Sequence, residues 1–306
     1  MTRQLPLISH GLWLDNQAEE AVQFYKSVFP DFKIHSTAYY GKEGFEQHKR
    51  PEGSVMVINF EIFGTEFQVI NGGPVFKMNP SVSYFILCDS DREAENFWNL
   101  LVDGGKILMP IDKYEWSERY GWLQDKYGLS WQIYTGAPND VNQKICASLM
   151  FTGEQHGRAE EAIDFYTSIF KNSEIQGIMR YPAGGMDPEG TVMHSQFKLG
   201  DHVFMAMDSA MEHNFQFNEA LSFIVNCRTQ EEIDYYWTKL LDGGHPQECG
   251  WLKDKFGISW QVVPVQLEAM LLDEDKWRVA RVMKAFFQMK KFDIQALEKA
   301  FLGNDE

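Results

Sequence analysis

The segment AEEAVQFYKSVF (residues 18–29) returns as AEEAIDFYTSIF (159–170), 159 minus 18 or 141 residues later. Three further matches follow in the same order. PEGSVMVINFEIFG (51–64) returns as PEGTVMHSQFKLG (188–200), FWNLLVDGG (97–105) as YWTKLLDGG (236–244), and GWLQDKYGLSWQI (121–133) as GWLKDKFGISWQV (250–262). Ordered matches whose offset drifts from 141 to 129 (250 minus 121) mark a tandem duplication. The repeats are placed at 1–139 and 144–267, followed by an unrepeated tail, 268–306. TGAPNDVNQK (135–144) carries Gly, Pro and Asn without an apolar period and reads as the linker.

Each repeat alternates between helical and strand periods in a fixed order. Residues 7–14 read as a strand, and Asn16 with Glu19 as a capping box opening a helix buried through Ala21, Phe24, Tyr25, Val28 and Phe29. Strands are expected at about 34–40, 54–63 and 66–71, the last two joined by a tight turn. The order then recurs: a strand at 82–88, a helix capped by Ser90 with Glu93, and strands near Lys106, Trp122 and Trp131. The chain therefore holds four βαβββ modules, two per repeat. In the tail, Leu272, Trp277, Ala280, Met283 and Phe287 keep a helical spacing, and Ile294, Leu297 and Phe301 suggest a second helix. Large apolar groups such as Trp277, Met283, Phe286 and Phe287 predict that the tail is docked.

Composition narrows the function. Of 306 residues, 28 are basic and 44 acidic, and the net charge of −16 repels nucleic-acid backbones and anionic membranes alike. No apolar run matches a signal peptide or a membrane span, so a cytoplasmic protein is expected. Cys88, Cys146, Cys227 and Cys249 form no CxxC and read as reduced, mostly buried residues. The histidines offer no HExxH, and no two glycines are spaced as GxG, which disfavours a single-helix metal motif and a dinucleotide loop.

AEEAVQFYKSVF after an apolar strand, VMHSQFKLGDHVFMAMDSA in the middle and GWLKDKFGISWQV at the end resemble the vicinal oxygen chelate superfamily of glyoxalases, bleomycin-resistance proteins and dioxygenases. More narrowly they resemble its PhnB-like branch, often labelled 3-demethylubiquinone-9 3-methyltransferase-like. The resemblance implies an α+β fold of two tandem glyoxalase-like domains, each two βαβββ modules forming a curved half-open sheet around the ligand, with a C-terminal helical tail. It also implies an intrachain pseudo-dimer, with a further homodimer compatible with the acidic surface.

Carried onto this chain, the superfamily's first-strand ligand position falls on His10 and, in the second repeat, on about Ser148. Its second-module position falls on Ser83 and Ser222, and its last-strand position on Gln132 and Gln261. Ser and Gln are neutral, weak donors that compensate poorly for stripping water from a divalent ion, so no metal or other cofactor is expected. A divalent metal in the first repeat is the alternative. His194, whose first-repeat match is about Val57, is at a position where His is common in the branch. It is a candidate general acid or base beside His10, with Gln132, Gln261, Ser83 and Ser222 as ligand-binding groups. Trp131 and Trp260 alternate with the glutamines and are expected under the helices.

Four functions are open at this point: a small-molecule-binding protein whose chemistry, if any, rests on polar cavity residues; a metal-dependent lyase or dioxygenase-like enzyme; a methyltransferase, for which no glycine-rich donor loop is visible; and a pair in which one repeat is mainly structural.

Overall fold

The computed structural model describes residues 4–136 and 143–303; most of the expected linker, with the boundary at 139, lies outside them. The first repeat contains β1 (Ile8–Leu14), α1 (Ala18–Val28), β2 (Phe32–Tyr39), a single turn α2 (Phe45–His48), β3 (Val55–Ile62) and β4 (Thr65–Asn71). It continues with β5 (Val82–Cys88), α3 (Asp91–Leu101), β6 (Lys106–Tyr114), β7 (Ser117–Gln124) and β8 (Ser130–Thr135). The second repeat gives β9 (Ile145–Phe151), α4 (Ala159–Ile169), β10 (Glu174–Arg180), β11 (Val192–Leu199) and β12 (His202–Asp208). It ends with β13 (Leu221–Cys227), α5 (Gln230–Leu240), β14 (His245–Pro246), β15 (Trp251–Lys253) and β16 (Ser259–Pro264), and the tail adds α6 (Gln266–Leu271), α7 (Lys276–Phe286) and α8 (Ile294–Leu302).

The strands form two open eight-stranded sheets, in the orders β14-β15-β16-β13-β1-β4-β3-β2 and β10-β11-β12-β9-β5-β8-β7-β6. Each sheet takes one module from each repeat. In the first, β1 pairs antiparallel with β13 and Gly11 faces Ser222; in the second, β5 pairs antiparallel with β9 and Ser83 faces Ser148. Two half-open sheets are what the resemblance implied, but they do not divide along the repeats. The two repeats thus make an intrachain pseudo-dimer.

The sheets meet back to back. Residues alternate across a strand, so Ile8, His10, Leu12 and Leu14 of β1 turn to the shared core, and Ser9 and Trp13 turn to the other face. Trp131 and Trp260 are buried as expected, and each indole N–H donates to a buried carboxylate, Asp125 or Asp254, at 2.9 Å. The same carboxylate oxygens also accept from the hydroxyls of Tyr25 (2.9 Å) and Tyr166 (2.6 Å) from α1 and α4. Two motifs shared by both repeats, the helical Phe-Tyr and the Asp-Lys-x-Gly-x-Ser-Trp run, are therefore two ends of one internal tie.

Two local expectations are corrected. Ser90 caps α3 as predicted, accepting from Glu93 N, but Asn16 does not cap α1. That N–H, of Ala18, is taken by Asn71 Oδ1 at 2.9 Å, and Asp208 does the same for Ala159 in α4. The tail is helical, and Met283 packs with Tyr40 and Met56, yet Trp277 is 80% exposed. Asp275 starts α7 by accepting from Trp277 N and Arg278 N, which leaves Leu272 before the helix and Trp277 on its outward side.

Candidate functional site

A cavity of about 530 Å³ lies on the face of the first sheet turned away from the core. Its floor is the alternate residues of the central strands, among them Ser9, Gln68, Ile224 and Gln261; the tail closes it from above with Leu267, Glu268, Leu271, Phe286 and Phe287. Trp13 meets Phe76 and Trp251 edge to face, with ring centroids 5.1 and 6.1 Å away, and its indole N–H is held by Gly73 O at 2.7 Å. One side of the cavity is thus a braced aromatic wall.

The polar side is a connected network. Gln68 Nε2 donates to Asn59 Oδ1 (3.1 Å), Asn59 Nδ2 donates to Ser36 Oγ and Glu268 Oε1 (both 3.0 Å), and Ser36 Oγ donates to Glu268 Oε1 (2.5 Å). Across the floor, Asn226 Nδ2 donates to Ser9 Oγ at 2.7 Å, and Gln261 Nε2 to Ser222 Oγ at 2.9 Å. At the mouth, Glu219 accepts from Gln247 and pairs with Lys253 Nζ at 3.0 Å. His48 stacks on Tyr40 at 4.4 Å, its Nε2 3.1 Å from Glu43 O while Nδ1 accepts from Arg50 N. A ring nitrogen opposite a carbonyl donates, so in His48 Nε2 is the donor and Nδ1 the acceptor.

The residues singled out from the sequence fall in three places. Of the six, only Gln261 lines this cavity, with Ser222 directly behind it. Ser83 and Gln132 form the matching pair in the second sheet, where Gln132 Nε2 donates to Ser83 Oγ (2.7 Å) and Tyr120 OH donates to Gln132 Oε1 (2.6 Å). His194 is on β11 of that sheet, its ring 6.3 Å from Phe85, and burial lowers its pKa. His10 points the other way, between the sheets, 2% exposed and ringed by Phe67, Tyr84, Phe204 and Phe223. Neither of its nitrogens has a hydrogen-bond partner among the described residues, and burial, with a smaller push from His202, brings its pKa down to about 3.

The repeat alignment at the first strand shifts by one. His10 sits between Phe67 and Phe223, as Ala147 sits between Phe204 and Tyr84, so the counterpart of Ser148 is Gly11 and not His10. A Cβ at Gly11 would collide with Ser222 Oγ and come within 2.8 Å of Gln261 Nε2, so the absent side chain makes room for that pair. The second sheet's matching face is packed by Phe85, Leu87, Tyr120, Cys146, Val203 and Met205. The superfamily's metal positions do not suit an ion here: the glutamine N–H groups are committed to serines, no anionic donor stands among them, and His10 faces away.

Sequence reasoning missed Ser36, Asn59, Gln68 and Glu268. The period-2 pattern of β3 and β4 could have flagged Asn59 and Gln68 as polar residues among apolar neighbours on one face; nothing in the sequence connects them to Glu268 in the tail.

The sequence profile of the family described as 3-demethylubiquinone-9 3-methyltransferase matches residues 6–134 and 143–263. Among solved structures, the PhnB protein from Bacillus cereus is 33% identical over 42% of this chain and 98% of its own, with a TM-score of 0.38. A protein from Staphylococcus aureus is 32% identical over 44% of this chain and 100% of its own, with a TM-score of 0.19. Glyoxalase I from Zea mays is 13% identical, over 88% of this chain and 98% of its own, with a TM-score of 0.55, a likeness of fold across both repeats. No curated protein matches the chain.

Proposed function

The chain belongs to the 3-demethylubiquinone-9 3-methyltransferase family, the PhnB-like branch of the vicinal oxygen chelate superfamily, in tandem-duplicated form, and on that premise we propose that it binds a small molecule with an apolar, ring-bearing body and one hydrogen-bonding end in the cavity of the first sheet. One observation carries this reading: the wall of Trp13, Phe76 and Trp251 faces a cavity whose polar groups are gathered around Glu268. An apolar pocket with a few convergent polar groups fixes both affinity and orientation. Gln261, held by Ser222, is the floor group that a bound ligand meets, and any chemistry rests on such polar groups.

The test is a titration with 2-naphthol followed by tryptophan fluorescence, together with mass spectrometry of whatever solvent extraction releases from the purified protein. Saturable one-site quenching, weakened in Asn59→Leu, supports the proposal. A linear response in the unaltered chain sinks it. A sulfonium methyl donor in the same assay tests the transfer that the family's description names.

Among the described residues no helix is long and apolar enough to cross a membrane. A cytoplasmic setting and a further homodimer belong to the same proposal; light scattering of the purified chain decides the second.

A further inference from the structure

We propose that His35, Glu61 and Glu66 form a binding site for a divalent transition-metal ion at the wall of the cavity, distinct from the Ser and Gln positions considered above. His35 Nε2 lies 3.2 Å from Glu61 Oε2 and 3.4 Å from Glu66 Oε1, and the three donor atoms all fall within 4.8 Å of one another. Two ligands each about 2.1 Å from a tetrahedral ion stand about 3.4 Å apart, so the two histidine edges already have the required length. The third edge, between the two carboxylates, lies within the same 4.8 Å span, and Glu61 is the more exposed of the two.

The donors are chemically apt: one imidazole and two carboxylates supply the anionic charge that the serines and glutamines lack. Three protein ligands leave a coordination position, and Glu66 lines the cavity, so that position is on the ligand side. His35 reaches the site because it is the extra residue of a β-bulge between the pairs Ile34–Phe60 and Ser36–Asn59.

The second repeat supplies an internal comparison. Gln176 occupies the same bulge between Ile175–Phe197 and Gly177–Gln196, and the register puts Lys198 at the place of Glu61 and Val203 at that of Glu66. All three donors are missing from the copy whose sheet face is filled, and present in the copy that borders the cavity.

The site stands apart from the ligand proposal, because the readout is the ion itself. The full-length chain, stripped with chelator, is dialysed against Zn²⁺ and its metal content measured, and Co²⁺ is titrated while its visible absorption is followed. About one ion per chain, a Co²⁺ spectrum of low-symmetry coordination, and loss of more than about 100-fold in affinity in His35→Ala and at least about tenfold in Glu61→Gln support the site. Substoichiometric uptake by the unaltered chain, or uptake that His35→Ala and Glu66→Gln leave unchanged, overturns it. The Co²⁺ spectrum of the unaltered chain decides the matter even where a variant fails to fold.

Discussion

Asn59 Nδ2 and Glu268 Oε1 are 3.0 Å apart across 209 residues of chain, and the contact binds the third strand of the first module to the first helix of the tail. Ser36 donates to the same oxygen, so the carboxylate is the acceptor around which the polar side of the cavity is organised. Glu268→Gln keeps the shape but loses the charge, and hydrogen bonds to a charged group contribute about 1.5 to 3 kcal/mol. Affinity for 2-naphthol should fall about tenfold while the thermal midpoint moves by only a few degrees. Calorimetric titration and a melting curve on the same variant separate the two effects.

His10 should be replaceable by leucine at a gain. Among the described residues its buried nitrogens have no partners, a cost of about 1 to 3 kcal/mol that an apolar side chain avoids. Its folded-state pKa of about 3 is below the unfolded value near 6.5, so the stability it allows is present above pH 6.5 and is lost as pH falls toward 3. His10→Leu should therefore match or exceed the parent at pH 7. The gap should widen by about 2 kcal/mol at pH 5, read from urea denaturation. A gap that narrows on acidification would refute the assignment.

Asp125 carries the opposite sign. Burial raises its pKa to about 6, against the pull of its bonds to Trp131, Tyr25 and two backbone N–H groups, so the folded state takes up a proton before the unfolded one does. Its contribution is fully present below about pH 4 and declines as pH rises through 6. Asp125→Asn turns an amide N–H₂ toward two donors and should destabilise by about 2 to 4 kcal/mol at pH 5. The same comparison at pH 8 should give a smaller penalty, and denaturation at both values tests the sign.

Gly11→Ala probes the floor. The added methyl must displace Ser222 or Gln261, at a cost of about 1 to 3 kcal/mol for overpacking, and should weaken 2-naphthol binding in the first sheet. Ser148→Gly, at the equivalent place in the second sheet, should leave that binding unchanged.

The modules, their order and their alternating faces were legible because hydrophobic period and turn chemistry are local properties, and the repeat supplied each reading twice. Ser90 with Glu93 was correct for that reason. Asn16 misled because the acceptor that Ala18 needs comes from Asn71, 53 residues on, and local spacing cannot show it. The glutamine–serine pairs lie on single strand pairs and could be placed by register; His10 was shifted by one, and a shift of one residue on a strand moves a side chain from the cavity to the core. His35 was invisible because a bulge, which the sequence does not announce, decides its direction. Glu268 escaped because the tail has no second copy with which to compare it.

A sheet that borrows half its strands from the other repeat changes what mutation can do to this molecule. Two identical subunits related by symmetry must carry the same residue on both faces, so a change that opens one pocket opens its twin and doubles the damage to the core. Covalent fusion removes that obligation. Gly11 can stand opposite Ser222 while Ser148 stands opposite Ser83, and Glu66 can border a cavity while Val203 fills the matching place with packed hydrocarbon. One face is then free to specialise in recognition while the other preserves the rigidity on which both depend.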